Sequence, residues 1–149
     1  MTTPNVDQRG IIPRPKSLVS ARQPLIVHVD DTPAVLMVAR YAVESRTSGR
    51  YVSFTDGAAA LNFMHLRRPS ILMTDINRPG MDGLTLVKLL RIDPLLTDVP
   101  VLFVTARSDM QDEVITRFKA AVLPKPFTID SLTTSLLRLL AELETPQLA

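Results

Sequence analysis

The stretch ILMTDINRPGMDG, residues 71–83, runs four strand-forming residues directly into Asp75 and then turns through Asn77, Pro79 and Gly80. A carboxylate at the end of a buried strand is held on a rigid mount, and its oxygen is a nucleophile in aspartyl-phosphate chemistry. Other apolar runs end in reactive groups too. LIVHV (25–29) leads into Asp30 and Asp31, VLFVT (101–105) ends on Thr105, and AVL (121–123) leads into Pro124, Lys125 and Pro126.

Each of these residues has an ordinary structural role when taken alone. Acids ahead of a helix are favoured by its dipole, an aspartate after a strand seats an Asx-turn, a threonine fills a strand end, and a lysine is solvated. Three carboxylates, a hydroxyl and an ammonium at one sheet edge are a different matter. Two carboxylates about 4 Å apart repel by roughly 4 kcal/mol at an effective dielectric of 20. Such a cluster therefore calls for a cation, and all-oxygen donors select a hard one such as magnesium. A phosphoryl group there would meet the metal on one side and Lys125 on another, with Thr105 donating to a third oxygen. In-line transfer asks for little beyond this positioning and charge stabilisation.

The elements that must place these groups alternate along the chain. Apolar runs at 25–29, 51–54, 71–74, 101–105 and 121–123 predict strands. Between and after them, helical stretches are expected over 34–46, 58–68, 84–92, about 109–119 and roughly 129–143. Thr32 is read as the cap of the first helix, with Pro33 at its first position. TDG (55–57) reads as a turn. Asp82 is placed to cap the third helix, and Ser108 with Gln111 has the spacing of a capping box. Five strand–helix alternations imply a parallel sheet with right-handed crossovers and helices on both faces. Burial on both faces accounts for strands that are continuously apolar. Ligands of such sheets bind beyond the carboxyl ends of the strands, where the acids collect.

Composition narrows the class. The chain has 149 residues, 46% of them hydrophobic and 21% charged, within the range of one ordinary globular domain. It has no cysteine, which removes disulfides and thiolate metal sites and suits a reducing cytoplasm. The net charge of +2 comes from residues 1–23, where four basic side chains face Asp7 alone; the remaining 13 basic and 14 acidic residues give −1. No basic stripe marks a nucleic-acid surface, no apolar run approaches the length of a membrane span, and MTTPNVDQRG lacks a signal-peptide core. Residues 1–23, with Pro4, Pro13 and Pro15, are expected to form a flexible extension, 24–143 the domain, and 144–149 a short tail. His28 is expected to pack in the core and His65 to be solvated. Leu132, Leu136, Leu139 and Leu143 form one stripe of the last helix; Leu137 and Leu140 widen it, leaving a helix–helix contact, and so a dimer, open.

With VDD (29–31), DINRPGMDG (75–83), PVLFVTA (100–106) and KPF (125–127), the chain resembles the receiver domain of bacterial two-component response regulators, of the stand-alone type. The separations agree: 44 residues from Asp31 to Asp75 and 30 from Asp75 to Thr105. The resemblance implies a flavodoxin-like, doubly wound sheet of five parallel strands in the order 2-1-3-4-5. It implies Asp75 as phospho-acceptor and Mg2+ held by Asp30, Asp31, Asp75 and the backbone carbonyl of Asn77, with Asp30 acting through water. Thr105 becomes the switching hydroxyl and Lys125 the phosphate contact, with a cis bond between Lys125 and Pro126. The implied partners are a histidine kinase or phosphotransfer protein and a downstream protein effector, with no direct contact to nucleic acid and no membrane insertion.

Two departures from the family pattern stand out. An aromatic residue usual three positions before the lysine is Val122 here, and the segment from Thr105 to Lys125 is about two residues short. These affect the relay to the surface, not the phosphorylation chemistry. A phosphorylation-dependent switch, not an enzyme, is the expected function, acting through protein contacts because the chain stops soon after the last helix. The alternatives are a phosphorylation-independent scaffold and an aspartyl-phosphate phosphatase or phosphotransferase. The last would require a second acid where Asn77 stands.

Overall fold

The computed structural model of the chain describes residues 23–107, 109 and 111–144. Residues 1–22 and 145–149, and with them most of the expected extension and tail, lie outside the described residues, as does Ser108 of the expected capping box. Among the described residues five strands and five helices alternate: β1 (Leu25–Val29), α1 (Pro33–Arg46), β2 (Arg50–Phe54), α2 (Gly57–Leu66), β3 (Ile71–Thr74), α3 (Gly83–Ile92), β4 (Val101–Thr105), α4 (Gln111–Phe118), β5 (Ala121–Pro124) and α5 (Ile129–Glu144). All strand pairs are parallel and the order is β2-β1-β3-β4-β5, as expected.

The two faces of the sheet bury separate cores, because successive side chains of a strand point to opposite sides. Val27, Val29, Leu72, Val101 and Phe103 face one side, under α2, α3 and α4. Ile26, Ile71, Met73, Leu102 and Val104 face the other, under α1 and α5. Central strands covered on both faces are largely apolar, and every residue of β1, β3 and β4 is buried, His28, Thr74 and Thr105 included.

Local chemistry sets the helix ends, with some departures from the expected caps. Thr32 makes no side-chain cap bond at the start of α1. Its backbone N–H instead donates to Asp30 Oδ1 at 2.8 Å, so the acid rather than the hydroxyl organises that turn. The TDG turn is the start of α2, with Asp56 accepting from the N–H groups of Ala58 and Ala59. Asp82 caps α3 as expected, accepting from Thr85 N at 2.8 Å. The α5 stripe is buried at Leu132, Leu136 and Leu139, but Leu143 and Leu137 are exposed. His65 is not simply solvated: its Nε2 pairs with Asp93 Oδ2 and ties α2 to the end of α3.

Candidate phosphorylation site

Strand register creates the site. Val29 of β1 lies opposite Thr74 of β3, so the next residues, Asp30 and Asp75, emerge side by side. The ladder continues into them, since Asp75 N donates to Val29 O and Asp30 N to Phe54 O. Thr105 lies opposite Pro124, and Lys125 N donates back to Thr105 O at 2.8 Å, which brings the lysine to the same edge.

Lys125 is the hub. Its Nζ donates to Asp30 Oδ2 and to Asp75 Oδ2, each at 3.0 Å. The Asp30 side chain is wholly buried, that of Asp75 is 14% exposed and that of Lys125 19%. Burial disfavours the ammonium, but the hydrogen bonds and charges of Asp30 and Asp75 outweigh it and hold its pKa above the ordinary value. Asp75 Oδ1 accepts from Asn77 N at 3.3 Å, an Asx-turn that orients the carboxylate. Thr105 is 2% exposed and its Oγ1 accepts from Arg107 N at 2.9 Å, which leaves the hydroxyl proton available to donate. Arg107 reaches across the mouth, pairing with Asp109 and approaching Asn77 Oδ1 at 3.5 Å.

The loop carrying Asp75 is pinned from below. A Cβ on Gly83 would stand 1.9 Å from the carbonyl oxygen of Asp75, so only glycine lets α3 start this close to the strand end. Gly83 N donates to Ile76 O at 2.9 Å across that contact. Gly80, at φ +75, turns the chain in the left-handed region that glycine adopts without strain. Lys125–Pro126 is cis, as the resemblance implied.

One oxygen from each of Asp30, Asp31 and Asp75 lies within 4.8 Å of the others. Magnesium holds its oxygen ligands at about 2.1 Å in an octahedron, so opposite ligands stand roughly 4 Å apart. Three carboxylates at this spacing, with exposed Asp31 on the solvent side, fit one such ion through direct and water-bridged contacts.

Residues 26–137 match the response regulator receiver domain family. The chain belongs to that family. Receiver domains bind Mg2+ at an acidic cluster, and Asp30, Asp31 and Asp75 supply one here. The chain is 33% identical over 106 residues to the chemotaxis protein CheY of Pseudomonas aeruginosa, covering 69% of this chain and 85% of that protein. It is 36% identical over 108 residues to the DNA-binding transcriptional regulator NtrC of Escherichia coli, covering 68% of this chain but only 22% of NtrC. It therefore spans about a fifth of the NtrC relatives. Among solved structures, CheY4 of Vibrio cholerae superimposes with a TM-score of 0.73 at 22% identity, covering 79% of this chain and 99% of CheY4. A response regulator from Chloroflexus aurantiacus gives 0.73 at 27% identity, covering 80% and 99%. Among the described residues no helix is long and apolar enough to cross a membrane.

The sequence-predicted residues thus converge. Asp30, Asp31, Asp75, Asn77, Thr105 and Lys125 share one edge, and His28 lies in the core as expected, its Nδ1 2.7 Å from Tyr51 Oη. Sequence reasoning passed over Gly83, whose signal was its place directly after the Asp82 cap, and Arg78, treated as loop but 7% exposed.

Proposed function

We propose that this receiver is a phosphorylation-dependent switch of a two-component system with Asp75 as its phospho-acceptor. The observation that supports this best is the shared lysine: one ammonium bonds both the candidate acceptor and the neighbouring Asp30 at 3.0 Å. In the proposed reaction an Asp75 carboxylate oxygen attacks the phosphorus of a phosphohistidine on a kinase or phosphotransfer protein. The O–P bond forms as the P–N bond breaks, and the imidazole nitrogen keeps the electron pair and takes up a proton. Asn77 N–H orients the attacking carboxylate, Lys125 shifts its donor toward the incoming phosphoryl oxygens, and Thr105 donates to another. Asp30, Asp31, Asp75 and the Asn77 carbonyl would hold Mg2+, which when bound neutralises charge on the transferred group.

The domain spans about residues 24–143 in this proposal, works in the cytoplasm, and passes its signal to a protein effector. Val122 stands opposite Phe103 in register, packs only partly into the core, and has no ring to reorient. The switch therefore acts through an altered version of the face formed by α4, β5 and α5.

Beryllofluoride with Mg2+, a phosphoryl analogue, tests both parts by NMR. Amide shifts are expected at residues 75–77, 105–107 and 125, abolished in Asp75→Asn. No change at those residues would overturn the switch. A conventional rearrangement of the α4–β5–α5 face would overturn only the altered-face proposal and leave Asp75 as acceptor.

A further inference from the structure

A second cation lies beside the acid cluster. Arg78 follows Asn77 in the loop after β3 and is 7% exposed. Its Nη2 donates to Thr74 Oγ1 at 3.2 Å, on the residue that precedes Asp75. A Cβ on Gly57 would stand 3.3 Å from its Nη1, so the start of α2 closes over the guanidinium, and the absent side chain makes room for it. Among the described residues neither Nε nor Nη1 has a hydrogen-bond partner. An arginine keeps its charge at any physiological pH, and burying a charged donor without a partner is costly. The groups that offset this cost are acids. Burial disfavours the cation, while Asp75, Asp30, Asp82 and Asp31, in falling order, favour it.

Three of those four acids are the cluster itself. Its three carboxylates carry three negative charges, and Lys125 with Arg78 carries two positive ones. The resting site is thus one negative charge in excess. Converting Asp75 to its phosphate adds about one more, and the excess then equals the charge of one divalent ion. Without Arg78 that balance would be reached already in the resting state.

We infer that Arg78 is a charge-balancing residue of the phosphorylation site: its fixed guanidinium weakens Mg2+ binding to the resting cluster, so that full affinity for the ion arrives only with the phosphoryl group. This rests on the metal-binding reading above and adds to it a coupling between ion and phosphoryl that the carboxylates alone do not supply.

The test is calorimetric titration of the full chain with Mg2+ alone, comparing wild type with Arg78→Met, Arg78→Gln, Arg78→Lys and Asp31→Asn. Removing one positive charge this close to a divalent site should tighten Mg2+ binding about tenfold in Arg78→Met and Arg78→Gln. Arg78→Lys, which keeps the charge, should stay within about twofold of wild type. Arg78→Gln, which retains a donor for Thr74, decides the matter if Arg78→Met does not fold. Equal affinity across wild type and both neutral variants overturns the inference while leaving the metal site standing. Weaker binding in all three Arg78 variants also overturns it, since Arg78 would then merely support the loop. Absence of Mg2+ binding in every protein, Arg78→Met included, overturns the metal reading and the inference with it. Asp31→Asn should bind more weakly than wild type in either case.

Discussion

Replacing Lys125 by methionine keeps most of the side-chain volume and removes the charge that Asp30 and Asp75 share. Two carboxylates then remain with oxygens inside 4.8 Å of each other, one wholly buried and the other 14% exposed. At that separation and an effective dielectric of 20 their repulsion is about 3 kcal/mol, and breaking a buried ion pair by removing one partner costs a similar amount. The two figures describe the same loss, so Lys125→Met should be less stable than wild type by about 3 kcal/mol without divalent ions. For a domain of this size that is a fall in Tm of roughly 10 °C. A divalent ion binding the folded cluster stabilises it by mass action, and it should do so more strongly where the competing ammonium is gone. Millimolar Mg2+ should therefore recover a larger part of the loss in Lys125→Met than it adds to wild type. Urea denaturation with Mg2+ and with EDTA measures both quantities. A loss below about 1 kcal/mol, or one that Mg2+ leaves unchanged, would show that the ammonium does not hold the acids together.

Three further substitutions probe the scaffold. Burial holds His28 at about 4 instead of 6.5, with Asp30 opposing the shift and Lys125 and Arg78 adding to it. Its folded pKa lies below its unfolded one, so its neutral form contributes fully above pH 6.5 and the stability is lost as pH falls toward 4, by up to ~3 kcal/mol. His28→Gln should flatten the stability curve in that window, as read by urea titrations between pH 4 and 7; an unchanged slope refutes the assignment. Gly83→Ala puts a methyl group 1.9 Å from the Asp75 carbonyl and should cost at least ~2 kcal/mol while shifting the amides of residues 75–77. Gly80→Ala meets open space and only the cost of its φ of +75, so it should be the milder change and leave those amides in place; the reverse order would contradict the close-approach account.

The parts of the molecule legible from sequence are those that local pattern determines. Continuous apolar runs such as ILMT and VLFVT announce strands buried on both faces, and the residues that follow them announce what reaches the sheet edge. What brings Asp30 against Asp75 is the pairing of Val29 with Thr74, a register between strands 45 residues apart that no local pattern records. Thr32 stands at the cap position with Pro33 first in the helix, but its hydroxyl makes no cap bond, and Asp30, two residues earlier, accepts its N–H in the turn before the helix. His65 finds Asp93, 28 residues away, because α2 and α3 lie side by side. Arg78 carries no sequence sign of burial; it is covered because α2 begins with a glycine directly above it. Arg91 likewise reads as a helix-surface residue, yet it donates to the carbonyls of Phe118, Thr97 and Val99 and ties the segment after α3 to the end of α4.

Acetyl phosphate tests, without any partner protein, the proposal that Asp75 is a modifiable carboxylate beside a divalent-ion site. Incubated with Mg2+, the chain should gain one phosphoryl group per molecule by intact mass, lost on hydroxylamine treatment, suppressed by EDTA and absent in Asp75→Asn. No adduct on the folded wild-type chain, or an adduct that survives in Asp75→Asn, would rule out Asp75 as the acceptor, and rapid multiple turnover would mark an enzyme instead.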